Sequence, residues 1–314
     1  MANFTIKKIK RLIVITGPTA SGKTSLSISL AKALNTVIFS ADSRQFYKEL
    51  EIGTAKPTKE EMNGVKHYFI DSHSLTDELS AAQFEKEAFP LLEKEFETHN
   101  DVILTGGSGL FIDALCFGLD NIPTDKEVRD QLNEELDKYG LEHLQRELKE
   151  LDPEHFAECD IHNSRRVIRA LEAIRITGNK YSELRKTNGN SRPFKCEFFI
   201  IDHEREKLYK RINLRVDLMV QNGLIDEARS VEHLRGLTTL RTVGYQELFD
   251  HFDGKYDLQE AIDLIKRNTR RYAKRQLTWF RRYENATWIP FSEPAKMLNS
   301  ILQKLEGSQD QGKA

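Results

Sequence analysis

The sequence predicts an α/β protein whose core is a parallel sheet and into which a helical domain is inserted. Apolar strand candidates alternate with helical segments over residues 1–123, a pattern typical of a parallel sheet wound by right-handed crossovers. Residues 124–190 are charged, have leucines at helical spacing and contain no strand candidate. The next strand candidate, at residues 195–202, returns the chain to the core. We therefore assign residues 1–123 and 191–314 to the core and residues 124–190 to the insertion.

Each strand of the core is predicted from a short apolar or β-branched run. These runs lie at residues 11–17, 36–42, 65–71, 101–107, 195–202 and 287–290. An amphipathic segment at residues 79–100 predicts a helix before the fourth strand. Pro90 inside this segment predicts that the helix is kinked or broken there.

A glycine-rich loop follows the first strand and precedes a helix. Its sequence, GPTASGKT, matches G-x-x-x-x-G-K-[ST], in which backbone N–H groups wrap a phosphate chain, the lysine reaches its end and the hydroxyl meets Mg²⁺. The alternative, a glycine turn before an ordinary helix, is disfavoured by the order of strand, loop and helix. We therefore predict that this phosphate loop binds a phosphate-bearing ligand. Its residues are Gly17, Pro18, Thr19, Ala20, Ser21, Gly22, Lys23 and Thr24, with Thr24 as the Mg²⁺ ligand.

The composition is that of an ordinary protein of a reducing compartment. Of the 314 residues, 39% are hydrophobic and 31% charged, and the formal net charge is −2. Cys116, Cys159 and Cys196 are too few and too widely spaced to indicate a disulfide framework or a zinc site. The first apolar run is too short for a signal peptide, and no stretch approaches the roughly 20 apolar residues of a membrane span. We expect a cytoplasmic monomer that does not enter a membrane.

The strand at residues 101–107 argues against a motor or signalling NTPase. Such proteins need a second acidic residue at the end of a buried strand to hold Mg²⁺. This strand instead ends in Thr105, Gly106 and Gly107, followed by Ser108. Glycines at such a turn let backbone and the serine hydroxyl approach a ligand closely, although a plain turn into the next helix is the alternative.

Asp42 follows the second strand candidate and is the acid best placed near the phosphate loop. Ligands of open α/β sheets bind outside the carboxyl ends of the strands, so Asp42 should face that loop. Its carboxylate could hold a metal through water or take a proton from an attacking nucleophile. The alternative is a helix or turn cap.

A basic helix near the carboxyl terminus predicts a second, polyanionic substrate. On a helix over residues 258–283, Ile265, Tyr272 and Trp279 share one face. We expect the cationic residues on the opposite face: Arg267, Arg270, Arg271, Lys274, Arg275, Arg281 and Arg282. Because residues 266–282 contain no acid, this strip favours nucleic acid as partner over a merely solvated face.

Two further arginine clusters lie on predicted helices. Residues 163–178 carry four arginines beside an apolar stripe: Arg165, Arg166, Arg169 and Arg175. Arg211 and Arg215 lie four residues apart, and either could bind a diphosphate through its guanidinium fork. The alternative for this pair is surface ion pairing with Asp217.

Several motifs together resemble one enzyme family, the bacterial tRNA dimethylallyltransferases, also called tRNA isopentenyltransferases. The motifs run in family order from residue 11 to about residue 290, nearly the whole chain. They are GPTASGKT, SADSRQFYKELEIGTAKP, LTGGSGLF, RRVIRALEAIRITG, RINLRVDLMVQNGL, RTVGYQE and RYAKRQLTWFRR.

The resemblance implies a P-loop NTPase-like core with an inserted helical domain that binds the tRNA anticodon stem-loop. It also implies transfer of a five-carbon group from dimethylallyl diphosphate to the exocyclic amine of the adenosine just 3′ of certain anticodons. The phosphate loop would hold the diphosphate of the donor, with Lys23 and, through Mg²⁺, Thr24 stabilising it as it leaves. Because a carbon–oxygen bond breaks, no second metal-binding acid is required.

The same resemblance assigns roles to individual residues. Asp42 is implied as the general base, Ser108 as a hydroxyl of the catalytic site and Arg215 as a diphosphate ligand. The implied tRNA-binding residues are Asp42, Ser43, Arg44, Gln45, Ser108, Arg129, Arg165, Arg166, Val167, Ile168, Arg169, Arg241, Thr242, Val243, Gly244, Tyr245 and Gln246. Two alternatives stay open: a small-molecule P-loop kinase, which would not need the basic helix, and a non-enzymatic RNA-binding module, which would leave the phosphate loop unexplained.

Overall fold

A computed structural model describes residues 9–77, 79–120, 122–185 and 192–310 of the chain. The chain divides into two compact units. The sheet unit is Met1–Cys116 with Arg192–Ala314, and the helical unit is Phe117–Ser191. The helices of the described residues are α1 (Lys23–Leu34), α2 (Lys59–Met62), α3 (Ala81–Thr98), α4 (Gly109–Phe117), α5 (Lys126–Tyr139), α6 (Leu141–Leu151), α7 (Pro153–Glu158), α8 (Ser164–Thr177), α9 (Tyr181–Leu184), α10 (Arg205–Gln221), α11 (Leu224–Val231), α12 (Tyr245–Phe252), α13 (Leu258–Phe280) and α14 (Pro294–Asp310).

The sheet unit is built on parallel strands. Those of the described residues are β1 (Arg11–Thr16), β2 (Ile38–Ser40), β3 (His67–Tyr68), β4 (Asp101–Gly106), β5 (Lys195–Asp202) and β6 (Thr287–Pro290). Their order is β3-β2-β4-β1-β5-β6, and each pair is parallel. The predicted α/β fold with a parallel sheet is confirmed. Because β1 lies between β4 and β5, the loops that follow β1 and β4 open at the same edge.

The bounds of β5 and β6 are as predicted, whereas β2 and β3 are shorter. β3 ends at Tyr68 because Phe69 and Asp71 adopt positive φ angles of 63° and 52°, which a strand does not contain. β2 stops two residues before Asp42, whose carbonyl closes a turn. This early turn places Asp42 just beyond the edge of the sheet.

α3 runs through Pro90 as one helix, so of the two predicted outcomes, a kink or a break, the break is wrong. A proline inside a helix removes one hydrogen bond and costs about 3 kcal/mol. The apolar face of α3 compensates for this loss, since Phe84, Ala88 and Leu92 are fully buried. Packing of this face against the core stabilises the helix on both sides of Pro90.

The sheet is covered by hydrophobic side chains on both faces. In β1, Leu12 and Val14 belong to one cluster, and Ile13 and Ile15 to another. All four are fully buried. Because successive side chains of a strand point to opposite faces, a strand covered on both sides has the unbroken apolar run seen here.

Arg192 anchors the chain where it re-enters the sheet unit. Its guanidinium donates to the carboxylate of Glu85 (2.6 Å) and the carbonyl of Ala114 (2.7 Å), and it lies over the ring of Phe89. Ala114 belongs to α4, the helix by which the chain leaves the same unit. The exit and re-entry segments of the sheet unit are therefore joined directly.

The helical unit has a hydrophobic core of its own. Leucines at helical spacing on α5, α6 and α8 bury their side chains completely: Leu132, Leu144, Leu148 and Leu171. Across the described part of the whole chain, no helix combines the length and hydropathy that crossing a membrane requires.

Candidate active site

The phosphate loop connects β1 to α1 in a conformation suited to anions. Ala20 and Gly22 adopt positive φ angles of 61° and 89°, and alternation of this kind forms anion-binding concavities of backbone N–H groups. Gly17 approaches β5 so closely that a Cβ would lie 3.0 Å from the carbonyl oxygen of Ile201. Residues 19–24 line a cavity of about 380 Å³, which we call the phosphate cavity.

Three cationic side chains also line the phosphate cavity: Lys23, Arg211 and Arg215. Burial lowers the pKa of Lys23 to about 8, and the positive charge of Arg215 adds to this effect. Burial, followed by the charge of Arg211, lowers the pKa of Arg215 as well. A bound dianion would relieve this desolvation and repulsion, so the charges of the cavity suit a diphosphate.

Both arginines of α10 are anchored to the phosphate loop. The Nε of Arg211 donates to the carbonyl of Ala20 (2.8 Å), and Arg215 reaches the hydroxyl of Thr19 at 3.5 Å. Asp217, the alternative partner, pairs instead with a lysine of α13 at 2.6 Å. The geometry therefore favours a role of these arginines at the loop over surface ion pairing.

Asp42 lies where the phosphate cavity meets a second cavity of about 530 Å³, the acceptor cavity. Asp42 lines both cavities, as do Thr19, Arg215 and Tyr272. Its Oδ1 accepts a hydrogen bond from the backbone N–H of Arg44 (3.1 Å), so the turn-cap alternative describes part of its role. The cap fixes the orientation of the carboxylate at the junction of the two cavities.

Ser108 joins the turn after β4 to the turn that carries Asp42. Its hydroxyl accepts from the N–H of Ser43 (3.0 Å) and donates to the Ser43 hydroxyl (3.0 Å). Tyr272 of α13 lines both cavities close to this turn. Burial, and next the negative charge of Asp42, raises the pKa of Tyr272 to about 12, so its hydroxyl is neutral at physiological pH. The structure thus brings Ser108 and Asp42 together at the ends of neighbouring strands.

The acceptor cavity is lined by both apolar and cationic side chains. The apolar side chains are Val216, Met219, Leu224, Val243 and Ile265. The cationic side chains are Arg44, Arg215, Arg241, Arg271 and Arg275. Of these arginines, Arg44, Arg241, Arg271 and Arg275 form no ion pair with a carboxylate of the described residues. Their charges remain available to phosphate groups.

One expectation about α13 is wrong. Arg271 and Arg275 were expected on the face opposite Tyr272, but they line the acceptor cavity beside it. The reason is geometric: at about 100° per residue, positions one before and three after Tyr272 lie beside it on the helix, not across from it. The cationic strip of α13 therefore reaches the rim of the candidate site.

The segment RTVGYQE contributes one wall of the acceptor cavity. Its lining residues are Arg241, Thr242, Val243, Gly244, Gln246 and Glu247. Tyr245 instead turns into the core, where it is fully buried and donates its hydroxyl to Glu227 (2.5 Å). Glu227 also accepts the backbone N–H groups of residues 51–53, at 2.7 to 2.8 Å. This carboxylate therefore holds the loop that leads to Thr54 and Ala55, which line both cavities.

Gln45 does not line the acceptor cavity but supports the same loop. Its Nε2 donates to the carbonyls of Thr54 and Ala55, both at 3.2 Å. Gln45 itself lines the phosphate cavity.

In the helical unit, the candidate RNA-binding residues of α8 have different surroundings. Arg165 and Arg166 are exposed, whereas Val167 and Ile168 are buried in the hydrophobic core. If α8 contacts RNA through side chains, the exposed arginines must provide the contact. The RNA-binding role of this segment stays a prediction.

Arg129 and Arg169 are engaged within the helical unit. Both pair with the fully buried carboxylate of Glu172, at 2.8 and 3.1 Å. Arg169 also donates to the carbonyls of Ile122 and Pro123, both at 2.8 Å. A buried carboxylate needs such partners, so these arginines stabilise the unit, and their contact with RNA stays a prediction.

Sequence patterns gave no role to two residues that shape the site, Glu227 and Gln276. Glu227 binds backbone about 175 positions away, and Gln276 binds Thr19 and Gly107, which lie 257 and 169 positions away. Local periodicity cannot reveal such partners. The one signal for Gln276 is its neutral amide within the cationic sequence AKRQLT.

Comparison with known proteins gives a consistent result. A family model described as IPP transferase matches residues 45–283. The tRNA dimethylallyltransferase 1 of Bacteroides fragilis is 48% identical over 295 residues, 94% of this chain and 98% of that protein. The tRNA dimethylallyltransferase of Christiangramia forsetii is 49% identical over 293 residues, 93% and 97% of the two chains.

A solved structure agrees with these relatives. The crystal structure of the full-length tRNA isopentenylpyrophosphate transferase from Bacillus halodurans has a TM-score of 0.71 and 40% identity to this chain. The match covers 97% of this chain and 100% of that one. The resemblance inferred from the motifs is confirmed, and the chain belongs to the IPP transferase family.

Proposed function

We propose that this protein transfers the dimethylallyl group of dimethylallyl diphosphate to the N6 amine of the adenosine directly 3′ of the anticodon in tRNA, releasing diphosphate. The observation that supports this most is the position of Asp42 at the junction of two adjoining cavities. One cavity has the cations and the loop for a diphosphate. The other is lined by apolar side chains that suit a five-carbon chain and by cationic side chains that suit RNA.

The phosphate cavity stabilises the leaving group. The nitrogen of the adenine attacks the first carbon of the allyl group, the bond from that carbon to oxygen breaks, and its electron pair departs with the diphosphate. Lys23, Arg211 and Arg215 surround the space in which this negative charge is released. Cations fixed in advance where charge develops are an effective source of catalysis.

Asp42 accepts the proton that the amine must lose. The Arg44 N–H donates to Oδ1 of Asp42, so Oδ2 takes no part in that bond. The same bond holds the carboxylate at the acceptor cavity. Ser108 fixes the same turn through Ser43. A carboxylate held within hydrogen-bond reach of the amine suits general-base catalysis.

The residues present fit a Mg²⁺ ion at the diphosphate. Mg²⁺ prefers hard oxygen ligands and commonly binds through one or two protein groups together with substrate phosphates and water. The hydroxyl of Thr24 and the carboxylate of Glu61 line the phosphate cavity and supply oxygen ligands. When bound, the ion would neutralise charge on the diphosphate, and Thr24 would hold it.

The tRNA partner is proposed to bind by its anticodon stem-loop. Chemistry on a base requires that it leave the stack, at a cost of a few kcal/mol, which contacts to the loop must offset. Arg44, Arg241, Arg271 and Arg275 line the acceptor cavity without a carboxylate partner among the described residues, which supports phosphate contacts there. Arg165 and Arg166 of the helical unit are further candidates. Since one chain supplies every group of this scheme, we propose a monomer, acting in the cytoplasm where tRNA is modified.

The test is incubation of the protein with radiolabelled dimethylallyl diphosphate and unmodified tRNA. Label is expected in the RNA, at the adenosine 3′ of the anticodon after nuclease mapping. The kinase alternative is disfavoured by membership of the IPP transferase family. It would be supported by transfer of phosphate from ATP to a small acceptor with no label in RNA, a result that would overturn the proposal.

A further inference from the structure

Gln276 is a buried neutral side chain in a cationic stretch of α13. Residues 266–282 hold eight basic residues and no acidic one, yet Gln276 is only 5% exposed. Burying an amide is costly unless both its donor and its acceptor find partners. The position of those partners shows what the side chain does.

The two ends of the amide bind two separate loops. The Oε1 of Gln276 accepts from the N–H of Thr19 in the phosphate loop (2.8 Å). Its Nε2 donates to the carbonyl of Gly107 in the turn after β4 (2.9 Å). One side chain therefore bridges the loop around the phosphate cavity and the turn that carries Ser108.

Gly107 lacks a side chain at the point where the amide of Gln276 lies. A Cβ on Gly107 would collide with Nε2 of Gln276, and among the described residues, apart from the chain neighbours of Gly107, only Gln276 has atoms within 4 Å of that position. Gly107 is absent from the glycines with positive φ, so its backbone conformation would accept alanine. A side chain at residue 107 would therefore displace the amide of Gln276 from its bond to the Gly107 carbonyl.

The sheet does not by itself fix the distance that Gln276 spans. The pairing of β1 with β4 ends at Thr16 and Gly106, and beyond these residues the two chains diverge into separate loops. The amide lies beyond the last pair and ties the loops together again.

We propose that Gln276 is a positioning residue that sets the phosphate loop and the Gly107–Ser108 turn at the separation that prenyl transfer requires. This inference rests on the proposed function. The phosphate loop places the carbon to be attacked, and the turn of Ser108 places Asp42 and the attacking amine. Misplacing reacting groups by about 1 Å can cost on the order of 100-fold in rate.

The first test compares Gln276→Met with Gln259→Met, the same change at an exposed position of the same helix. We expect kcat of Gln276→Met to fall about 100-fold, while its Kd for unmodified tRNA stays within about twofold. Gln259→Met should match the wild type. A kcat of Gln276→Met within about threefold of the wild type, or a loss of tRNA binding equal to the loss of rate, would overturn the inference.

The second test is a double-mutant cycle, which does not depend on a single variant folding perfectly. Gly107→Ala should lower kcat at least about tenfold in the wild type but less than about twofold in the Gln276→Ala background, where the collision is absent. An equal effect in both backgrounds would refute the match between the two residues. If the wild type itself places no label in tRNA, the proposed function is wrong. If the wild type is active and its Gln276 variants are equally active, only the role of Gln276 is wrong.

Discussion

Asp42 is held by its own turn at the junction of the two cavities, where we propose that the acceptor loses a proton. We predict that Asp42→Asn lowers the single-turnover rate of transfer about 100- to 10,000-fold, because the amide keeps the bond to the Arg44 N–H but cannot serve as the base. The affinity for tRNA should change little, as measured by filter binding.

Asp226→Asn, an exposed change on α11, is the control for Asp42→Asn and should transfer at the wild-type rate. Loss of tRNA affinity with the transfer rate preserved would contradict the assignment of Asp42 as base.

We predict that Lys23 makes binding of the donor dependent on pH. Its pKa is lowered to about 8 in the free protein, so the ammonium is charged below this pH and neutral above it. A bound diphosphate favours the charged form, so binding takes up a proton above pH 8. The affinity for the donor should therefore weaken above pH 8, by up to about tenfold per pH unit.

Lys23→Arg provides the comparison, because arginine stays charged throughout this range. Donor affinity measured by calorimetry from pH 7 to 9.5 should fall more steeply for the wild type than for Lys23→Arg. Parallel profiles for the two proteins would contradict the titration of Lys23 at this site.

Residues that follow strand ends could be predicted from the sequence, and residues that act across the fold could not. Lys23, Asp42 and Ser108 each come directly after a strand or its loop, where parallel sheets bind ligands. Glu227 and Gln276 act on backbone groups far away in the sequence, and no local pattern encodes those distances. Their roles follow only from the packing of α11 and α13.

At the scale of elements, α13 connects the core to the candidate RNA surface. Its buried residues, such as Ile265 and Gln276, face the sheet unit, while Arg271 and Arg275 line the acceptor cavity. The helical period predicted the helix and its apolar face correctly. The assignment of Arg271 and Arg275 to the opposite face is wrong because both lie within about 100° of Tyr272 on the same flank of the helix.

We predict that exchanging Arg271 and Arg275 together for glutamine weakens tRNA binding and flattens its salt dependence. Each lost phosphate contact should reduce the slope of log K against log salt by about 0.7 to 1. Binding isotherms at several salt concentrations measure this slope. Arg267→Gln, an exposed change on the same helix outside the acceptor cavity, should leave the slope unchanged, and an equal change for both variants would show a nonspecific charge effect.

At the scale of the whole molecule, alternation of strands and helices was enough to predict the fold class. Buried parallel strands need continuous apolar runs, and the sequences of β1, β4 and β5 contain such runs. The extent of β2 and β3 could not be predicted, because left-handed residues such as Phe69 and Asp71 end β3 without a glycine or proline to signal it.

The helical unit should contribute to tRNA binding without affecting the donor. We predict that Arg165→Ala combined with Arg166→Ala weakens tRNA affinity about tenfold and leaves the affinity for dimethylallyl diphosphate unchanged. Arg146→Ala, at an exposed position on α6, is the matched control. A double variant that binds tRNA like the wild type would remove α8 from the RNA surface.

The hydrogen bonds from Arg192 to Glu85 and Ala114 join the two segments of the sheet unit between which the helical unit is inserted. Since all three residues belong to the sheet unit, we expect this junction to form whatever sequence lies between the two segments. Replacing residues 117–191 with a short glycine-serine linker should leave a folded protein that still binds diphosphate. If the helical unit contributes to tRNA binding as we predict, replacing residues 117–191 with the helical unit of a relative should change the RNA preference.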